Sequence, residues 1–152
     1  MIKIIVVGKI KEKALKSLID EYLKKIKHYH NVEMIEIKDD AIIKDHGKTM
    51  DNEALRIINK LNSDDYVVLV DLHGREMDSI AFKNFVMDKI NRSIKLCFII
   101  AGSLGFADKL RKLKKDSISL SKLTFLHTHT RLILLEQLYR SFKIEHNEEY
   151  HK

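Results

Sequence analysis

The chain has 152 residues, 45% hydrophobic and 33% charged, with no proline, five glycines and one cysteine. That length suits one domain with a sizeable core, and the composition excludes disordered, collagen-like, proline-helix-recognition and disulfide-framework architectures. Lys and Arg number 28 against 22 Asp and Glu, a formal charge of +6 and a pI near 9.3, which fits an anionic partner such as nucleic acid and equally a soluble lysine-rich surface.

Residues 2–7 form an apolar run too short for a signal segment or a membrane span, so they read as a buried strand that ends at Gly8. With no targeting segment legible and one cysteine, the expected location is the cytoplasm. Residues 12–28 place Leu15, Leu18, Ile19, Tyr22, Leu23 and Ile26 at helical spacing. Residues 33–37 alternate like a strand. A helix is expected over 49–61, starting at Thr49, with Leu55, Ile58 and Leu61 on one stripe. Residues 66–70 are a continuous apolar strand closed by Asp71. A helix over 79–91 is capped by Asp78 or Ser79. Residues 95–100 form another buried strand, closed by Ala101-Gly102-Ser103-Leu104-Gly105. A helix over 106–114, a short strand near 118–120 and a long helix over 128–143 complete the chain. Continuous apolar strands alternating with helices predict a single α/β domain over 1–152 with a parallel sheet covered on both faces. Ligands bind such sheets beyond the carboxyl ends of the strands, which singles out the loops after Val70, Ile100 and Leu120.

Several chemistries lack their residues. No glycine follows Gly8 until Gly47, so the first strand–helix turn cannot carry a dinucleotide-binding glycine motif, and no phosphate-binding loop is present. His127 and His129 would share a face on a strand but not at a helix start, and no acidic or thiol ligand stands near them in sequence, so no metal is expected. Cys97 lies inside the most apolar strand, where a thiol behaves as a small hydrophobe with a raised pKa. Base methylation through a covalent thiolate is therefore unsupported, which leaves ring nitrogen or hydroxyl as acceptor. Two basic clusters stand out: Lys24, Lys25, Lys27, His28 and His30, and Lys109, Arg111, Lys112, Lys114 and Lys115. Each is either a solvated helix face or a phosphate-contacting surface.

The last third reads 98-FIIAGSLG, then 120-LSKLTFLH, Arg131, 136-EQLYRSFKI and a terminal 147-NEEYHK. With the opening strand-Gly-Lys and Asp71-x-x-Gly74, this set resembles the bacterial large-subunit rRNA pseudouridine N3-methyltransferases, the RlmH family of the SPOUT class. The resemblance spans the whole chain. It departs at Ala101-Gly102, where the family usually has Gly-Gly, and at Leu126, where proline is common. It implies a parallel-sheet SPOUT fold with a C-terminal trefoil knot, a homodimer with sites at the subunit interface, and S-adenosyl-L-methionine as methyl donor. Carried over by position, donor contacts fall on Val70, Ala101, Gly102, Gly105, Leu120, Ser121, Lys122, Leu123, Thr124 and Phe125. An apolar slot of Val70, Leu120, Leu123 and Phe125 suits adenine, and small residues at 101–103 let the backbone approach the rest of the donor.

The implied reaction is methylation of N3 of a pseudouridine in 23S rRNA of the large subunit or assembled ribosome. In-line transfer needs the nucleophile held against the methyl and one imide proton managed. Arg140, Tyr150 and His151 are the expected catalytic groups, with Glu136 orienting Arg140. Lys109, Arg111, Lys112, His127 and Arg131 are the expected RNA contacts. Three rivals remain at this point: a non-catalytic rRNA-binding relative, a flavin or nucleotide binder of the flavodoxin type, and a methyltransferase of the same class acting on another RNA site.

Overall fold

The computed structural model describes residues 1–40 and 44–151. The elements are β1 (Ile2–Val7), α1 (Lys13–Lys27), β2 (Val32–Ile37), α2 (His46–Ile58), β3 (Asp65–Glu76), α3 (Ser79–Asn91), β4 (Lys95–Ile100), α4 (Asp108–Leu113), β5 (Asp116–Ser119) and α5 (His127–Glu145). The strands form one five-stranded sheet in the order β2-β1-β4-β3-β5. Every pairing is parallel, as the apolar runs predict.

Successive side chains along a strand point to opposite faces, and both faces here are dry. Ile2, Ile4, Val6, Phe98 and Ile100 pack with Ile19 and Ile26 of α1, Phe82 and Val86 of α3, and Leu134, Leu138 and Phe142 of α5. Ile5, Val7, Val67, Leu69, Cys97 and Ile99 pack with Ala54 and Ile57 of α2 and Leu110 of α4. Three helices therefore cover one face and two the other. Lys3, buried in this sheet, pairs with Asp65 at 2.7 Å and donates to the Lys60 carbonyl.

The structure departs from the sequence expectation in two elements. β3 does not stop at Asp71 but runs to Glu76, with its pairing to β5 shifted between Val70 and Arg75 so that both meet Ile118. The extension is polar, so it carries no apolar signal. Gly74 makes it feasible, because a Cβ there would stand 2.5 Å from the Ile118 backbone carbon. α2 begins three residues before Thr49: the Asp45 carboxylate accepts from the Lys48 amide at 3.0 Å and caps the helix. Thr49 is instead buried inside the first turn. The helix ends at Ile58, and its buried stripe is Glu53, Ala54 and Ile57, with Leu55 exposed. No helix among the described residues is long and apolar enough to cross a membrane.

Candidate functional site

The carboxyl edge of the sheet opens into a cleft of about 380 Å³, within the ~300–1,000 Å³ of small-molecule sites. Three segments wall it: Val70, Asp71 and Leu72 from the β3 irregularity, residues 100–103, 105 and 106 at the end of β4, and residues 119–121 and 123–127 at the end of β5, with Arg111 and Thr130 closing the sides. These are the three loops singled out from the strand pattern. Of the expected donor contacts, Val70, Ala101, Gly102, Gly105, Leu120, Ser121, Leu123, Thr124 and Phe125 line the cleft. Lys122 is the exception: it is exposed and does not line the cleft.

Local hydrogen bonds hold the third wall. The Ser119 hydroxyl donates to the Ser121 carbonyl at 2.8 Å, and the Ser121 hydroxyl oxygen accepts from the Leu123 amide at 2.9 Å. In the second wall, Gly105 has φ +88°, a conformation glycine adopts without strain. A Cβ at Gly102 would meet Glu53 Oε2 at 3.2 Å and Val7 Cγ1 at 3.3 Å, so the turn is seated directly on α2. Glu53, which no sequence pattern singles out, is buried there, and burial with neighbouring Asp40 and Asp39 pushes its carboxyl pKa up. Ala101 has no positive φ, so its methyl group is accommodated without backbone strain.

The wall polarity is mixed in a useful way. Leu72, Leu123 and Leu126 are exposed at the mouth, Leu123 at 71% and Leu126 at 65%. Asp71 pairs with Arg111 at 2.7 Å, and the Arg111 guanidinium lies 5.6 Å from the Phe106 ring centroid. His127, the first residue of α5, is half-buried, and its pKa is lowered by that burial and by the charge of Arg131, so the imidazole is neutral near pH 7. His129 is exposed while His127 faces the cleft. Among the described residues no three metal-ligating side chains converge. Burial pushes the Cys97 thiol up to about 12, which removes it as a nucleophile.

Arg131 corrects one expectation. It is 0% exposed and cannot meet RNA in this fold. Its Nη2 donates to the carbonyls of Val7 and Gly8 at 2.6 and 3.0 Å, and Nη1 faces Glu36 at 3.5 Å. It ties the first turn of α5 to the end of β1. Lys109 and Lys112 are exposed on α4, whereas Arg111 is shared between that face and the cleft.

A second cluster lies towards the C-terminal end of α5. Glu136 Oε1 accepts from Arg140 Nη2 at 2.7 Å and from the Tyr150 hydroxyl at 3.1 Å. Arg140 Nη1 contacts His151 Nδ1 at 3.1 Å, and its guanidinium stacks 4.9 Å from the Tyr150 ring centroid. Tyr139 meets Tyr150 edge-on, and burial with Tyr22 and Glu136 raises the Tyr150 phenol pKa. Arg140 Nε is buried and has no hydrogen-bond partner among the described residues. The structure thus brings Glu136, Arg140, Tyr150 and His151 together. It does not bring them to the cleft of their own chain: thirteen residues of helix separate His127 from Arg140, ~20 Å at 1.5 Å per residue.

A parallel α/β sheet with a nucleoside-sized cleft built from three strand-end loops defines an α/β protein with a small-molecule site at the carboxyl edge of its sheet. A family model described as "Predicted SPOUT methyltransferase" matches residues 1–151. Proteins called "Ribosomal RNA large subunit methyltransferase H" are similar over almost their whole length. That of Pseudothermotoga lettingae is 39% identical, covering 99% of this chain and 98% of the relative. That of Clostridium botulinum strain Eklund 17B is 40% identical, covering 99% of each. That of Thermosipho melanesiensis is 41% identical, covering 99% and 98%. In fold, the chain is similar to the crystal structure of the SpoU methyltransferase AviRb from Streptomyces viridochromogenes, at TM-score 0.50 and 11% identity, covering 97% of this chain and 61% of that one. The chain belongs to the SPOUT methyltransferases, in the family of the large-subunit ribosomal RNA methyltransferase H proteins.

Proposed function

We propose that the protein methylates N3 of a pseudouridine in 23S rRNA, with S-adenosyl-L-methionine as donor, working as a homodimer on the assembled ribosome or large subunit. The observation that carries this reading is the cleft itself. It combines an apolar slot of Val70, Leu120, Leu123 and Phe125 with a glycine-bearing turn seated on α2, the surroundings a purine nucleoside with a polar tail requires. Bound there, the donor would supply an electrophilic methyl carbon on a sulfonium.

The chain's residues do the rest. The loops at 101–105 and 119–126 enclose the donor and exclude water. The unreactive Cys97 argues against carbon methylation through a thiol adduct, which leaves a ring nitrogen or a hydroxyl, and the family resemblance points to the nitrogen. An N3 imide becomes a nucleophile as its proton leaves, so a cation beside it lowers the barrier. Arg140 is that cation, with Tyr150 and His151 ordered around it, and its distance along α5 from its own cleft supports a role at the partner's cleft. Lys109 and Lys112 contact rRNA phosphates. His127, neutral at the cleft wall, contacts the target nucleotide. The strand order and the packing of residues 120–126 against those after β3 and β4 accord with the trefoil knot the family resemblance implies.

Mass spectrometry of rRNA tests the reading. Ribosomes from a strain lacking the gene should lack one methyl group on a pseudouridine, and purified protein with donor should restore it. Restoration on another base, or on no rRNA, would overturn the proposal. Activity on protein-free 23S rRNA should fall far below that on ribosomes.

A further inference from the structure

Asp71 and Arg111 are 40 residues apart in sequence and meet across the cleft wall. Most hydroxyls of the lining are already engaged: Ser119 and Ser121 hold the third wall, and Thr130 donates to the Leu126 carbonyl at 3.1 Å. Asp71 is the carboxylate among the lining residues. Its side chain is 10% exposed, against 39% for Arg111. Oδ2 accepts from Arg111 Nη1 at 2.7 Å and Oδ1 from the His73 amide at 3.3 Å. A carboxylate accepts about four hydrogen bonds, so both oxygens retain capacity. Burial opposes ionisation at Asp71, yet the Arg111 guanidinium and the His73 amide outweigh it and the carboxyl titrates below its ordinary value.

An acceptor-only group in this place needs a ligand that donates. A sulfonium nucleoside offers three kinds of donor: an ammonium, the adenine amino group and the vicinal ribose hydroxyls. The Arg111 cation beside Asp71 repels the ammonium. The adenine belongs in the apolar slot. The vicinal hydroxyls match a carboxylate in geometry, the pairing that acidic residues make with ribose in other nucleotide sites. We propose that Asp71 recognises the ribose hydroxyls of the methyl donor and that Arg111 is the positioning residue that keeps the carboxylate turned into the cleft. This assignment rests on the donor reading above and adds the group that discriminates a ribonucleoside from a deoxynucleoside.

Calorimetry on the full chain tests it, with S-adenosylhomocysteine and its 2′-deoxy analogue as probes. The wild type should bind the ribo form roughly tenfold more tightly than the deoxy form, because a buried hydrogen bond to a charged group is lost with the hydroxyl. Asp71→Asn should bring the ratio to within about threefold, mainly by weakening the ribo form. Arg111→Ala should narrow the ratio partway and Arg111→Lys less so, since lysine keeps a charge but not the fork. Equal weakening of both probes by Asp71→Asn, or a wild type indifferent to the hydroxyl, would overturn the assignment. If Asp71→Asn does not fold, an unchanged ratio in Arg111→Ala overturns it instead. A wild type that binds neither probe would sink the donor reading, and this assignment with it.

Discussion

Arg131 shows how a residue can look functional and be architectural. Its guanidinium is surrounded by protein, and two of its partners are backbone carbonyls at the end of β1. Removing it strands both acceptors in a dry place, and each such loss costs about 1–3 kcal/mol. Glu36 keeps part of its side chain in water, which limits the penalty on that side. Arg131→Met should therefore lower stability by ~3 kcal/mol in urea unfolding, with the midpoint moving and the slope unchanged. A shift below about half a kcal/mol would mean that water reaches the site.

His127 sets a pH dependence of its own. Its folded-state pKa lies below the ordinary histidine value, so as pH falls through about 6.5 the unfolded chain takes up a proton that the folded chain refuses. Stability is then lost as pH falls, and the contribution is intact above that window. His30, also lowered by burial, acts in the same direction, while Glu53, with its raised carboxyl, acts oppositely from about pH 4.5 upward. The difference between wild type and His127→Gln isolates the effect of His127. Urea midpoints should converge between pH 7 and 5, the wild type losing more; parallel curves would show that the imidazole titrates normally.

At the scale of elements, the β3–β5 pairing positions the cleft. Gly74 lets the extended β3 lie against β5, whose exit carries the 119–126 wall. Gly74→Ala should cost ~3 kcal/mol or more, since the methyl carbon would overlap backbone that cannot move without breaking the sheet edge. Donor binding should be lost with it even where the protein remains folded. Asp78, which caps α3 through the Ala81 amide at 2.8 Å, is an ordinary cap. Asp78→Ala should cost ~1 kcal/mol in thermal unfolding and leave the cleft intact.

These two cases also mark what was legible in sequence. The core strands were, because both faces of a parallel sheet are buried and the apolar runs are unbroken. A cap at Asp78 or Ser79 was, because both stand at the start of a helical pattern, and the structure places it at Asp78. The polar second half of β3 was not, since its pairing depends on a glycine fitting against a strand 44 residues later, from Gly74 to Ile118. Most cleft residues were reached through the loops at strand ends and the family resemblance. Arg131 was misread, because an arginine on a helix reads as surface until its partners at β1 are known. The Asp71–Arg111 pair was out of reach, being a contact between two elements that only tertiary structure unites.

At the scale of the molecule, cleft and cation cluster sit at different places along α5, and the homodimer proposed above would unite them across two chains. A variant with the cleft blocked, Thr124→Trp, and one without the cation, Arg140→Ala, should each be inactive. Mixed after subunit exchange, they should recover roughly a quarter of wild-type activity, because half of the dimers then hold one intact site of two. No recovery, in mixtures shown by mass to contain heterodimers, would put the cleft and Arg140 to work within one chain. If Lys109 and Lys112 contact phosphates as proposed, raising salt should depress activity on ribosomes steeply, and substituting either lysine by alanine should shallow the slope.

The placing of β1 has a consequence for biogenesis. Its inner neighbour is β4, with Lys3 opposite Cys97, so the centre of the sheet cannot close until well over half of the chain has left the synthesis machinery. Until then Ile2 to Val7, buried throughout in the finished protein, have only β2 to pair with. Long-range parallel pairing of this kind is slow and leaves sticky segments uncovered in the meantime. The nascent polypeptide should therefore depend on chaperones bound near the exit tunnel, and refolding from denaturant should give its best yields when dilute.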